Sequence, residues 1–183
     1  MSAFFCLLVA AALSTGCGGG GDPGNDGNDG DDGDDGGDGD SGGPVGSVEL
    51  GTGTTAFEPI GEESDLVLVA GPQGGHHFVV HARISGLDPG DPSQPGLVSN
   101  PATRFSVTDE DGARLELEMY PYRLGYELVD GDYVLPSGRI VQVEEASVAS
   151  LYGSRARIEV EVTDVDGRSA TDGRWVVAVE ELR

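Results

Sequence analysis

The chain has 183 residues, 33 of them acidic and 10 basic, for a formal charge of −23, and every basic residue is arginine. The absence of lysine excludes the phosphate grip of a P-loop, a Schiff-base mechanism and a Ser/Lys nucleophile pair. So acidic a surface also disfavours nucleic acid as a partner, because contact would add like-charge repulsion where a basic surface would release counterions.

Residues 3–13 form an apolar run of the length of a secretory h-region, too short to span a bilayer, and small residues follow it. The run closes on Leu13-Ser14-Thr15-Gly16-Cys17. This stretch resembles the lipobox of bacterial lipoproteins, with Ser14 standing where that family usually carries leucine. The resemblance implies that Cys17 receives a lipid, that residues 1–16 are removed as a signal peptide, and that the protein is held on the bacterial envelope, with the outer membrane the expected site. Several acyl chains would make that attachment stable, whereas a single chain is marginal at about 0.8 kcal/mol per buried CH₂. The other cysteine, Cys6, lies inside the leader, so no disulfide is expected in the rest of the chain.

Residues 18–46 are almost entirely Gly and Asp, with no large apolar side chain before Val45. Such a tract cannot offset the entropy of ordering its backbone, so 17–46 is expected to be a disordered tether, spanning roughly 30 Å or more once Asp repulsion extends it. Calcium is the sharper alternative for an Asp-rich tract, but no window supplies the i, i+2, i+4 acids followed by Gly that an EF-hand-like loop requires.

Residues 47–183 are expected to form one domain. Its 24 acids against 10 arginines leave a formal charge near −14. From here the sequence reads as short β-branched runs separated by turn residues, with no helical period. Val48 and Leu50 open a first strand, 66–70 a second and 76–84 the longest. Alternation puts His76, Phe78, Val80, Ala82 and Ile84 on a core face, with His77, Val79, His81 and Arg83 on the opposite, partly exposed face. A Pro/Gly-rich connection over 87–101 suggests a crossover or binding loop. Asp111-Gly112, Asp130-Gly131 and Asp166-Gly167 mark three hairpins, pairing 103–108 with 113–119, 126–129 with 133–135, and 157–164 with 174–179. Ala156, Ile158, Val160 and Val162 point inward, and Trp175, Val177 and Val179 are expected to cover the same core.

The fold class predicted is all-β, an antiparallel β-sandwich after a disordered N-terminal tether. The segment 158–177, with its Asp-Gly turn, resembles the closing hairpin of bacterial immunoglobulin-like and PKD-like domains, although the domain has no cysteine pair and its one tryptophan lies on the last strand. That resemblance implies an adhesive, glycan-contacting or spacer module and does not choose among these.

Two constellations stand out as candidate sites. His76, His77 and His81 are the only histidines. On a strand, His77 and His81 lie about 13 Å apart at roughly 3.3 Å per residue, too far to share one ion without ligands from other strands. The second constellation is Tyr120, Tyr122, Arg123 and Tyr126, of the residue types that dominate recognition surfaces, with core and edge packing as the alternative. The sequence reading is therefore a non-catalytic, lipid-anchored envelope module without a cofactor, meeting an envelope protein or glycan. The alternative is a metal-dependent or hydrolytic envelope enzyme using His76, His77 or His81.

Overall fold

The computed structural model describes residues 46–72, 74–117 and 120–181. Residues 1–45, with the expected signal peptide, Cys17 and all of the tether except Gly46, lie outside the described residues. In chain order the elements are β1 (Ser47–Thr52), β2 (Glu58–Pro59), β3 (Ser64–Ala70), β4 (His76–Ser85), β5 (Ala102–Thr108), β6 (Tyr122–Arg123), β7 (Glu127–Val129), β8 (Asp132–Val134), β9 (Arg139–Val143), the helix α1 (Glu145–Leu151), β10 (Arg155–Thr163) and β11 (Ser169–Glu180). No helix among the described residues is long and apolar enough to cross a membrane.

The strands form one curled sheet in the order β2-β1-β4-β3-β11-β10-β5-β6. Long β4 is the hub of one arm, with β1 and β3 along one edge and β9 and β8 along the other. β3 joins the arms, pairing antiparallel with β4 through Val69 and Ala70 and parallel with β11 through 64–68. The sheet is therefore mixed, where an antiparallel one was expected. Residues 71–168 separate β3 from β11, so no tight turn imposes an antiparallel direction on the pair.

The core fills the inside of the curl. Leu50, Phe78, Val80, Ala82, Val107, Val141, Ala156, Ile158, Val160, Val162, Val176 and Ala178 are all fully buried and belong to one cluster. The core face expected for β10 is present in full, and that of β4 from Phe78 to Ile84. The face expected for β11 is inverted: Val176 and Ala178 point inward, while Trp175, Val177 and Val179 are only half-buried. Register with β10 decides this, since Val176 sits opposite inward Ala156 and Trp175 opposite outward Arg157.

Two of the three expected hairpins are present. β10 and β11 pair from Arg155↔Val177 to Thr163↔Ser169, and β7 pairs with β8 across Asp130-Gly131. Both turn residues have positive φ, 53° and 97°, as a type I′ turn requires. The third hairpin keeps its turn but not its return strand. After the Thr108↔Arg114 bridge, the chain leaves β5 for β9, where the Leu117 N–H donates to Gln142 O at 3.0 Å. Glu116 drives that departure, turning its buried carboxylate back to accept the Val107 N–H at 2.9 Å.

Candidate functional site

A concave surface is built on the outer face of β4, around Arg83. Cross-strand register places Glu49 of β1 opposite Arg83, and Asp132 opens the neighbouring strand β8. The guanidinium is thereby clamped from both sides: Nε donates to Glu49 Oε2 at 3.0 Å and Nη1 to Asp132 Oδ2 at 2.7 Å, with a second bond from Nη2 to Glu49. These bonds, that to Glu49 foremost, hold the Arg83 pKa above its ordinary value. The guanidinium also stands 4.8 Å from the centre of the Phe57 ring, so an aromatic face fixes the orientation of the cation.

Phe57 comes from the loop joining β1 and β2, and a glycine makes room for it. A Cβ on Gly51 would lie 2.3 Å from the Phe57 ring. Because Gly51 pairs with His81, the ring settles over both and meets the imidazole edge-on at 5.8 Å. Phe57, Arg83, Val129, Val134, Leu135 and Pro136 then line a cleft of about 280 Å³, rimmed by Glu127, Asp130 and Asp132. A second depression of about 250 Å³, between Glu49, Ser85 and Asp132, lies on the other side of Arg83. Apolar walls, charged edges and one immobilised guanidinium suit recognition: a ring or methylene chain would be buried, and polar groups on the rim would set its orientation.

The three histidines occupy three environments. His76 Nδ1 lies 3.1 Å from Glu145 Oε2 and the ring meets Tyr152 edge-on at 6.2 Å. His77 points to the opposite face of the strand, and burial in the first place, then His76, lowers its pKa. His81, expected to be partly exposed, is fully buried, because the Phe57 loop covers what alternation alone reads as a wet face. Its Nδ1 accepts the Ala82 N–H at 3.1 Å, which puts the ring proton on Nε2, and Nε2 has no hydrogen-bond partner. Burial, foremost, and the Arg139 charge lower its pKa. A backbone partner ordinarily raises a histidine's pKa, but this one is an N–H and favours the neutral ring. Among the described residues no group of three His, Cys, Asp or Glu side chains is placed to hold a metal ion.

The tyrosine and arginine set is likewise divided. Tyr120 is 85% exposed. Tyr122 is half-buried, with the Arg139 guanidinium 5.9 Å from its ring centre. Arg123 fastens the 87–101 connection, donating to Asn100 O at 3.1 Å and Val98 O at 3.4 Å. Tyr126 is a core residue whose hydroxyl lies 2.8 Å from Thr103 Oγ1, and burial pushes its pKa up. It therefore faces no partner. The connection itself is knitted internally, since buried Asn100 accepts the Asp91 N–H at 2.7 Å and donates to Asp91 O and Gln94 O.

Sequence reasoning missed Phe57, Glu49 and Asp132. One signal was present: an isolated phenylalanine in a Gly/Thr-rich turn region has no strand neighbours to bury it and must pack across the sheet. Fold and site together define a predominantly β domain with an acid-rimmed, aromatic-walled cleft. No protein-family model, no curated protein and no solved structure matches the chain.

Proposed function

We propose that the chain is a bacterial envelope lipoprotein, anchored in the outer membrane by a lipid on Cys17 and spaced from it by residues 18–46, whose β domain is a non-catalytic binding module. The domain reads best as an immunoglobulin-like sandwich, with β1, β4, β8 and β9 in one layer and β3, β11, β10, β5 and β6 in the other. Support comes from the single core cluster that the two groups of strands share. The observation that carries the binding role is the cleft beside Arg83, where a guanidinium held by two carboxylates and an aromatic ring forms a rigid wall of a small apolar hollow.

A structural use of the buried polar side chains other than His81 favours binding over catalysis. Asn100, Thr103, Glu116 and Asp164 are all engaged by backbone groups, a neighbouring hydroxyl or an adjacent arginine, and so hold the fold in place. The partner expected is an envelope protein or glycan presenting an apolar body to Phe57 and Val134. A photo-reactive residue at Thr55, on the cleft lining, tests this in intact cells. The expected result is a discrete adduct that Val129→Arg abolishes; an adduct pattern indifferent to Val129→Arg counts against the cleft as the contact.

A further inference from the structure

His81 is a titratable side chain with no exposed surface, sealed under Phe57, and neither ring nitrogen is placed to stabilise a second proton. Nδ1 accepts from the Ala82 N–H, while the proton on Nε2 has no acceptor among the described residues. A second proton must enter at Nδ1, where it would face the Ala82 N–H donor to donor, and the resulting cation would still lack an acceptor at Nε2. A buried charge in that state is untenable, so the protonated ring has to reach water.

Only one side of the pocket can yield. Beneath the ring lies the sheet. Above it lies the 53–57 loop, in which Thr54, Thr55 and Ala56 are exposed and Phe57 alone packs inward. The loop is held by one backbone bond, from Gly138 N–H to Thr54 O at 3.1 Å, and by the two-residue pairing of β2 with β1. It starts at Gly53, whose φ of 103° is open to glycine and strained for other residues, and few anchors mean a low cost of local opening.

The charged groups on the surrounding elements do nothing to retain the cation. β1 presents Glu49 and β8 presents Asp132, both engaged by Arg83. β2 presents Glu58, which is exposed. β9 contributes Arg139, a like charge, β4 itself contributes Arg83 and His77, and residues 53–57 carry no titratable side chain.

We propose that the Phe57 loop is a proton-operated lid: protonation of His81 expels the imidazole from beneath Phe57, lifts the loop and removes the wall against which Arg83 and the cleft are set. This is a regulation of the cleft and rests on the cleft being the ligand contact. The lid itself is read out without any ligand, so its failure and the failure of the binding role are distinguishable.

The test is nuclear magnetic resonance of the full chain in detergent micelles, with labelled histidine and phenylalanine, titrated downward from neutral pH. His81 is expected to titrate below 6.5, with the Phe57 ring signals and the amide exchange of residues 53–57 changing in the same step, and His81→Leu is expected to abolish that step. A His81 titration that leaves Phe57 in place overturns the proposal, as does a Phe57 transition that survives in His81→Leu. Should His81→Leu not fold, Phe57→Ala replaces it: with the lid trimmed, the His81 midpoint is expected to move up toward 6.5, and an unmoved midpoint overturns the proposal equally.

Discussion

The Asp172 carboxylate accepts a hydrogen bond at 2.8 Å from the backbone N–H of Leu50, a residue 122 positions away on a strand that is not its ladder partner. Asp172 sits opposite inward-facing Val160, so its side chain points into the curl, and Arg174 pairs with it from the same strand. The bond ties β1 to β11 and satisfies a donor on a fully buried residue. Asp172→Ala should cost about 1–3 kcal/mol in denaturant unfolding, because it leaves that N–H unpaired. Asp172→Asn keeps an acceptor and should cost less.

Asp164 should govern the acid limit of stability. Burial works to raise its pKa, yet hydrogen bonds from the Asp88 and Arg168 N–H groups and from the Arg168 side chain outweigh burial and hold it below 3.8. A carboxyl lowered in the folded state contributes stability that is complete above the unfolded value and lost as pH falls through the folded one. Melting temperature measured downward from about pH 5 should therefore drop steeply below 3.8 in the natural chain, and less steeply in Asp164→Asn.

The sign is the same for His81, at higher pH. With the folded pKa below 6.5, the unfolded chain takes up the proton first, so stability is complete above 6.5 and declines as pH falls toward the folded value. The decline for this one group cannot exceed about 1.4 kcal/mol per pH unit. His77 shifts the same way and shares the window. Chemical denaturation at neutral pH and about one unit lower should show a loss that His81→Leu reduces.

Gly125 is required by the loop that crosses it. A Cβ there would lie 2.2 Å from both the Asp91 carbonyl carbon and the Pro92 nitrogen, backbone atoms that cannot turn aside as a side chain would. Gly125→Ala should destabilise by about 1–3 kcal/mol and loosen the 87–101 connection, which hydrogen exchange at Asp91 and Asn100 would register.

Strand alternation was legible wherever one face is polar. The inward set of β10 and the two Asp-Gly hairpins follow from local pattern and turn chemistry. Pattern fails where both faces are apolar or where a distant segment covers a face. The run from Trp175 to Val179 is apolar at every position, so only pairing with β10 reveals that Val176 and Ala178 are the core. His81 reads as a surface residue until Phe57, 24 positions earlier, closes over it. The cleft was illegible for the same reason: Glu49, Phe57, Arg83 and Asp132 come from four elements, and no spacing in the sequence brings them together. Tyr126 was open between surface and core because tyrosine suits both an interface and a core that offers its hydroxyl a partner, here Thr103.

An anchored binding module stands or falls on its N-terminus. Mass spectrometry of the N-terminal peptide of the full-length protein, extracted from the envelope of cells that express it, should show Cys17 as the first residue, carrying acyl chains on a diacylglyceryl thioether. An unmodified Cys17, or a chain beginning at any other residue, would contradict the account.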